Sequence, residues 1–301
     1  MSPVSVVQLS DTHFREDDAP PEGGFAYDTD AAFDAVLPQV TALGPDLIAV
    51  TGDVADHGRP AQYRKAADAF ARLGVPVNAC PGNHDFVDPF TAGIGRAGVG
   101  TSRVVEVGPW AFVFCDSSAG LMRLDADGVP TDPEGETRLH NNGALGAREA
   151  AVVRRLCAEV TAEHVFLWLH HPPAPPLPLC HDEAYAAEWR ALLDDLPTVR
   201  GMAGGHTHVP DAYTFEGVPV FVAPSFKNNF SLDPQSWLPP GFRSYRFDDD
   251  GSVTSTLHFA PDDPERWPRR PFGRTLRSLF DGEITHAELA AIVAARAAGA
   301  S

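Results

Sequence analysis

The sequence contains five short apolar runs that each stop abruptly at polar side chains suited to metal binding. Runs of this length, rich in Val, Leu and Ala, are typical of buried β-strands. If the strands lie side by side in a sheet, their carboxyl ends bring the polar groups to one edge, where open α/β sheets form their sites. The runs are Val4 to Leu9, Leu47 to Val50, Val75 to Ala79, Val165 to Leu169 and Gly201 to Ala203. They lead into Asp11-x-His13, Gly52-Asp53, Gly82-Asn83-His84-Asp85, His170-His171 and Gly205-His206-x-His208, respectively.

Helical patterns separate the first three strands. Residues 28 to 30 offer N-caps for a helix that carries apolar residues as far as Val40 and ends at Gly44-Pro45. Arg59-Pro60 opens a second helix, which ends at Gly74. Two strand–helix–strand passages in succession predict parallel neighbouring strands joined by right-handed crossovers.

The second half of the chain predicts one more long helix and further strands. Residues 145 to 162 are typical of a helix, and its apolar positions indicate that Ala151, Val152, Leu156 and Val160 face inward. Strands are predicted at 218–223, 242–247 and 253–259, the last two as a hairpin around Asp249-Asp250-Gly251. We expect these strands to build a second sheet.

Three irregular stretches leave the ends of predicted strands: residues 14–30, 117–143 and 172–181. The chain ends in a separate helical pattern. We expect residues 117–143 to lie near the site and the proline-rich residues 172–181 to form a stiff wall over it. After a Pro- and Arg-rich boundary, Thr285-His286-Ala287-Glu288 has the form of a capping box. We therefore predict a main domain at 1–260 and a helical appendage at 261–301. The sequence leaves open whether this appendage packs on the body or forms a homodimer contact.

Composition narrows the class of partner. The 301 residues carry a formal net charge of −18, which opposes binding to nucleic-acid polymers and anionic membrane surfaces. A small, singly charged diester suits such a surface better than a polyanion, and bound cations would offset part of the charge. No apolar run approaches the roughly 20 residues of a membrane helix, and the chain begins directly in a strand, so we expect a cytoplasmic protein.

The polar strand ends predict a centre with two metal ions. Imidazole nitrogens with carboxylate and amide oxygens, and no thiolate, suit Zn, Mn or Fe. Seven ligands are too many for one ion and suit two ions that share a carboxylate. Asp53 is the best candidate for the shared carboxylate, because other ligand groups flank it on either side in the sequence. The seven are Asp11, His13, Asp53, Asn83, His170, His206 and His208.

These five motifs, in this order over residues 4 to 210, resemble the signature of the calcineurin-like metallophosphoesterases. Within that superfamily, the segment Thr51 to Gly58, the Gly-Asn-His-Asp motif and His170-His171-Pro172-Pro173 are most similar to class III cyclic-nucleotide phosphodiesterases and their glycerophosphodiesterase relatives. The resemblance implies an α/β fold, specifically a four-layer α/β/β/α sandwich with the metal site at the carboxyl ends of the strands.

The resemblance also implies roles for the candidate residues. Asp53 bridges two ions, which bind the phosphoryl oxygens and activate a hydroxide for in-line attack on phosphorus. His84 protonates the leaving oxygen or stabilises the phosphoryl charge. Asp85 either orients His84 or stabilises the turn, and the sequence does not decide between these roles. One metal would be held by Asp11, His13, Asp53 and His208, and the other by Asp53, Asn83, His170 and His206.

The function predicted from the sequence is hydrolysis of a small phosphodiester, with a cyclic nucleotide as the first candidate. A phosphomonoesterase or a glycerophosphodiester hydrolase would use the same metal core and stays open as an alternative. A non-catalytic scaffold is less favoured, because the chain keeps every ligand type and His84. His171 either supports the site or is a structural strand-end residue. Four residues after Ser225 either shape the pocket or pack in the core or a loop: Phe226, Asn228, Asn229 and Phe230.

Overall fold

The computed structural model describes residues 3–16, 26–95, 98–119, 123–124, 130–131, 143–177, 180–267, 270–285 and 288. Its helices are α1 (Thr29–Leu43), α2 (Pro60–Ala71), α3 (Val87–Ile94), α4 (Gly146–Glu159), α5 (Glu183–Leu193) and α6 (Arg274–Phe280). Its first strands are β1 (Val4–Leu9), β2 (Leu47–Thr51), β3 (Val77–Cys80), β4 (Val104–Val107), β5 (Trp110–Phe114), β6 (Arg123–Leu124), β7 (Pro130–Thr131) and β8 (His164–Trp168). The remaining strands are β9 (Val199–Gly204), β10 (Asp211–Phe215), β11 (Val218–Val222), β12 (Phe230–Leu232), β13 (Gln235–Trp237), β14 (Gly241–Phe247) and β15 (Val253–Phe259).

Two large sheets form the centre of the molecule. The first has the order β15-β14-β1-β2-β3, with β1, β2 and β3 parallel. The second has the order β10-β11-β9-β8-β5-β4, in which the four central strands are parallel and the two edge strands antiparallel. The expectation of a single sheet carrying all five polar strand ends is wrong, because β1 to β3 lie in one sheet and β8 and β9 in the other. The β14–β15 hairpin also extends the first sheet, since β14 pairs with β1.

The sheets pack face to face because their strands are apolar on both sides. Alternate residues of β1 and β2, such as Val6 and Leu47, meet Phe112, Phe166 and Trp168 of the second sheet in a buried aromatic layer. The outer face of the first sheet packs against α1, α2 and α3, and that of the second sheet against α4 and α5. The predicted four-layer α/β/β/α sandwich is confirmed.

The first predicted helix has the ends that its sequence indicates. Asp28 caps α1 by accepting hydrogen bonds from the backbone N–H groups of Asp30 and Ala31, at 3.0 and 3.1 Å. The helix ends at Gly44, whose φ of 55° is in the left-handed region that glycine adopts without strain.

The buried face of α4 differs from the prediction. The residues it buries are Glu149, Val153 and Cys157, whereas Ala151 is exposed and Val152 is only partly buried. The helix is rotated toward Glu149 because this carboxylate pairs with Arg103 and accepts the backbone N–H of Asp116 at 2.8 Å. A buried polar contact thus decides which face packs inward.

The described part of the C-terminal segment packs on the body. Trp267, Phe272, Leu276 and Leu279 join the same buried cluster as the residues that cover the outer face of the first sheet. Thr285 and Glu288 make the reciprocal hydrogen bonds of the predicted capping box, while residues 289–301 lie outside the described chain. The division at residue 260 stays a prediction. Among the described helices, none is long and apolar enough to cross a membrane.

Candidate metal centre

The carboxylate of Asp53 lies at the centre of the group of polar side chains that follow the five strands. Asp53 follows β2, and its Oδ2 atom is faced by the Nε2 atoms of three histidines, which come from the ends of three other strands in both sheets. This is the position that a carboxylate shared between metal ions would occupy. The distances from Oδ2 are 3.2 Å to His170, 3.5 Å to His13 and 3.9 Å to His84.

Asp11 joins the two sheets on the other side of the group. One carboxylate oxygen lies 3.1 Å from Nε2 of His208 and 4.0 Å from Nε2 of His170. The same carboxylate accepts the backbone N–H of His206 at 3.1 Å, and Asn83 Oδ1 lies 3.1 Å from His170 Nε2. All eight residues predicted from the sequence, the seven metal-ligand candidates and His84, therefore lie in one place. The split of the strands between two sheets does not separate them, because both sheets end at this edge.

The backbone is strained at the positions that carry these side chains. Within the described chain, seven non-glycine residues have positive φ, and five of them belong to the predicted site. Such conformations cost of order 1–3 kcal/mol each and concentrate at functional sites. The five φ values are 52° at Asp11, 42° at His13, 48° at Asp53, 66° at His206 and 54° at His208.

Two glycines make room for the carboxylates. A Cβ atom at Gly82 would collide with Oδ1 and the backbone nitrogen of Asp53, and a Cβ atom at Gly205 would collide with Oδ2 of Asp11 and the side chain of Ser10. The glycines of the Gly-Asn-His and Gly-His-x-His motifs therefore permit the close approach of neighbouring strand ends.

Four site histidines are fixed through Nδ1 and direct Nε2 toward the centre. Their Nδ1 partners are carbonyl or carboxylate oxygens, which can only accept, so Nδ1 carries a proton and Nε2 is the ring nitrogen that faces the centre. This arrangement is the usual one for histidines that bind metals. The acceptors are Asp56 Oδ1 for His13 at 3.0 Å, the Asp56 carbonyl for His84 at 2.7 Å, the Thr51 carbonyl for His170 at 2.9 Å, and Asn228 Oδ1 for His208.

The arrangement fits divalent metal ions. Nε2 of His13 and Nε2 of His171 are buried and have no hydrogen-bond partner among the described residues, and leaving such an atom unpaired costs about 1–3 kcal/mol. A metal ion would satisfy Nε2 of His13, which is one of the predicted ligands. Four groups of three side chains bring their donor atoms within 4.8 Å of one another: Asp11, His13 and His208; His13, Asp53 and His84; Asp11, Asp53 and His170; and His170, His171 and His206.

The electrostatics keep two carboxylates and one histidine of the site in the protonation states in which they bind metals. Burial alone would raise the pKa of Asp11 and of Asp53, but the imidazoles of His208 and His170, respectively, outweigh it and hold both pKa values well below their usual range. Burial, together with the charge of Lys227, lowers the pKa of His13 to about 3. The two carboxylates are therefore ionised and His13 is neutral at neutral pH.

Asp85 stabilises the turn that presents Asn83 and His84. Its carboxylate accepts backbone N–H groups from Gly82 at 2.9 Å and from Val54 and Ala55 at 3.1 Å each. Burial raises the pKa of Asp85 to about 6, and the charge of Asp53 adds to the effect. Of the two roles left open by the sequence, these contacts favour the structural one.

Sequence reasoning missed some residues that contact the histidines. Asp56 is 3% exposed and accepts from His13, from Arg15 at 2.7 Å and from Lys227 at 2.6 Å. Its place three residues after Asp53 was a usable signal, and Asn228 is one of the residues after Ser225 whose role the sequence left open, whereas nothing in the sequence indicated Lys227. His171, which the sequence left undecided, is 2% exposed and its ring centroid lies 4.2 Å from that of His206. Most of the 117–143 loop, including His140, lies outside the described residues.

Comparison with known proteins is consistent with this geometry. The family model for calcineurin-like phosphoesterases matches residues 4–210. The chain is 28% identical to the 3′,5′-cyclic adenosine monophosphate phosphodiesterase CpdA of Escherichia coli (strain K12), covering 86% of this chain and 90% of that protein. It is 32% identical to a cAMP/cGMP dual specificity phosphodiesterase of Mycobacterium tuberculosis, over 72% of this chain and 66% of that protein.

A solved structure shares the fold. A dimetal phosphatase from Danio rerio superposes with a TM-score of 0.63 at 13% identity, covering 87% of this chain and 98% of that chain. The resemblance seen in the sequence motifs is confirmed, because the family model spans the whole region from β1 to the end of the last histidine motif. The chain thus belongs to the calcineurin-like phosphoesterase family and is a phosphoester hydrolase.

Proposed function

We propose that the protein is a binuclear metal-dependent phosphodiesterase that hydrolyses a small phosphodiester, with a 3′,5′-cyclic nucleotide as the first candidate. The observation that carries the proposal is the carboxylate of Asp53, which faces Nε2 atoms of three histidines from both sheets. The similarity to two cyclic-nucleotide phosphodiesterases over most of the chain supports the substrate class.

The donor atoms divide into two metal positions that share Asp53. Asp11, His13 and His208 form one group, and His170 and His206 with Asn83 form the other. Metal ions bound there would place positive charge beside the phosphoryl oxygens. They would also lower the pKa of a bound water molecule to about 7. Imidazole and carboxylate donors accept Mn, Fe and Zn alike.

His84 is placed to donate a proton to the leaving oxygen. Its Nδ1 is fixed on the Asp56 carbonyl at 2.7 Å, so its Nε2 points toward Asp53 Oδ2, 3.9 Å away. Its side chain is 22% exposed, whereas those of His13 and His170 are almost fully buried. His84 therefore reaches the open side of the site, where a substrate enters, and in its doubly protonated form it donates from Nε2.

The charge of the chain favours a small substrate. The net charge of −18 repels polyanions over long distances, while a cyclic nucleotide carries a single negative charge at its phosphodiester. Two described cations beside the site, Arg15 and Lys227, are paired with the buried Asp56, so a carboxylate already compensates their charge.

The test is a substrate panel on protein reconstituted with Mn, Fe or Zn, with metal content measured on the same sample. The panel contains 3′,5′- and 2′,3′-cyclic nucleotides, bis(4-nitrophenyl) phosphate, a glycerophosphodiester and 4-nitrophenyl phosphate. We expect two metals per chain and turnover of 3′,5′-cyclic nucleotides well above that of the monoester. Two metals with a strong preference for the monoester would discard the diesterase assignment and keep the metal centre.

A further inference from the structure

The segment Ser225 to Asn229, here called the 225–229 loop, is linked to every member of one group of metal donors, directly to Asp11 and His208 and through Asp56 to His13. It lies beyond residue 210, where the family match ends. Its backbone joins the turn after β1, because Ser225 bridges to Ser10 and the N–H of Phe226 donates to the Asp11 carbonyl at 3.2 Å. Just after the loop, the N–H of Phe230 donates to the carbonyl of His208 at 2.9 Å. The loop is thus fixed directly to two residues of the Asp11, His13 and His208 group.

Asn228 holds the imidazole of His208. Its Oδ1 accepts the Nδ1 proton, and His208 Nε2 then lies 3.1 Å from Asp11 Oδ1. An amide oxygen cannot donate, so this contact selects the tautomer whose Nε2 is free to bind a metal. The orientation of the ring and the availability of its lone pair both depend on Asn228.

Lys227 reaches the third member of the group through Asp56. Its Nζ donates to Asp56 Oδ1 at 2.6 Å, and the same oxygen accepts Nδ1 of His13 at 3.0 Å. The other oxygen of Asp56 is bound by Arg15 at 2.7 Å. Because Asp56 is only 3% exposed, its charge needs both cations as compensation. Lys227 therefore fixes the oxygen that orients His13.

The second group of donors is held by different parts of the chain. Nδ1 of His170 donates to the carbonyl of Thr51 at 2.9 Å, and the backbone N–H of His170 donates to Ser117 Oγ at 3.2 Å. These supports come from the ends of β2 and β5, so a change in the 225–229 loop reaches them only indirectly.

We propose that Lys227 and Asn228 are positioning residues that set the metal affinity of the position formed by Asp11, His13 and His208, and do so separately from the position at His170 and His206. The inference rests on the proposed metal centre. Removing a group that holds a metal-binding histidine typically weakens metal binding 10- to 100-fold. When either residue loses its contact, we therefore expect the position at Asp11, His13 and His208 to bind metal more weakly, while the position at His170 and His206 keeps its affinity.

The test is titration of metal-free protein with Mn²⁺ or Co²⁺ against a chromophoric chelator, with the Co²⁺ absorption spectrum recorded at each step. The variants are Asn228→Leu, which removes the acceptor, and Lys227→Met, which removes the charge at similar length. Asn228→Asp keeps an acceptor for His208 Nδ1 and serves as the rescuing variant. Lys65→Met is the matched control, because Lys65 is the only other lysine in the sequence and bonds Asp30 and the backbone carbonyl of Arg15 rather than a side chain that holds a metal-binding histidine.

We expect Asn228→Leu and Lys227→Met to weaken one of two metals 10- to 100-fold and to leave the other unchanged, with Asn228→Asp and Lys65→Met close to wild type. Thermal unfolding of the metal-free variants checks that they fold. If Asn228→Leu does not fold, the test rests on Lys227→Met. Two unchanged affinities, or an equal loss at both positions, overturn this inference and leave the proposed function intact. A wild-type protein that binds no metal overturns both.

Discussion

The metal-ligand candidates follow local sequence patterns, whereas the residues that hold them in place lie far away in the sequence. Asp11, Asp53, Asn83 and the histidines stand directly after apolar runs, so local pattern alone could identify them. Their supports come from remote positions: Asp56 is 43 residues from His13, and Lys227 is 171 residues from Asp56. Contacts of this separation exist only once the sheets have formed, which is why the ligand candidates were predictable and Lys227 was not.

At the residue scale, replacing His84 with Ala separates metal binding from proton transfer. His84 is outside both predicted sets of metal ligands, so we expect His84→Ala to keep its metals. Loss of a positioned general acid typically lowers turnover 10²- to 10⁴-fold. The measurement is kcat on a cyclic nucleotide together with metal content. His57→Ala is the control, because His57 also adjoins Asp56 but its side chain is 50% exposed. Unchanged turnover in His84→Ala would remove this residue from the reaction.

Replacing Asp53 with Ala tests metal binding itself, which the His84 variant is expected to keep. Its Oδ2 faces the Nε2 atoms of three histidines, so Asp53→Ala removes a donor from both proposed positions. We expect the variant to lose both metals and its activity. Metal analysis after gel filtration measures the loss, with Asp34→Ala as the control because Asp34 is exposed and pairs only with Arg72 among the described contacts. Full metal occupancy in Asp53→Ala would contradict a shared carboxylate.

At the scale of elements, patterns with local causes were predicted well. The ends of α1 follow from Asp28 and Gly44, and the β14–β15 hairpin follows from the turn residues Asp249-Asp250-Gly251 between its strands. The pairing of strands was harder to predict, because nothing local in β14 indicates that it pairs with β1, more than 200 residues earlier in the chain. The rotation of α4 has a similar cause, since it depends on the distant partner Arg103.

The rotation of α4 yields a direct comparison of two adjacent valines. Val153 is fully buried against the second sheet, whereas Val152 is partly exposed. Val153→Ala removes two buried methyl groups, so we expect the free energy of unfolding to fall by about 2 kcal/mol. Val152→Ala makes the same chemical change at the neighbouring position and should cost less than half as much. Urea denaturation of both variants measures the difference. A larger loss of stability in Val152→Ala than in Val153→Ala would mean that α4 buries the face predicted from the sequence.

At the scale of the whole molecule, the site is one place where the two halves of the sandwich meet through polar groups. Elsewhere the sheets contact each other through aromatic side chains, through Gln8 and through Arg243. Gln8 donates to Thr51 of the first sheet and to the carbonyl of Gly204 in the second, both at 2.8 Å, and Arg243 of the first sheet donates to the carbonyls of Asp211 and Val222 in the second at 2.8 and 3.2 Å. The four-layer architecture was predictable from the order of the motifs. The division of the strands between the sheets was not, since parallel strands of either sheet present the same apolar run followed by the same polar end.

Metal binding should therefore stabilise the fold as a whole. A metal bound between Asp11, Asp53 and His170 would connect β1 and β2 to β8. A ligand that binds only the folded state, at a concentration 100 times its dissociation constant, raises the free energy of unfolding by about 2.7 kcal/mol. For a chain of this length we expect the melting temperature to rise by about 5 °C when Mn²⁺ is added to metal-free protein. Differential scanning calorimetry measures the shift. Asp53→Ala should show no such rise, which separates binding at the site from a general effect of the salt. A wild-type melting temperature that Mn²⁺ leaves unchanged would mean that the strand ends do not hold a metal between the sheets.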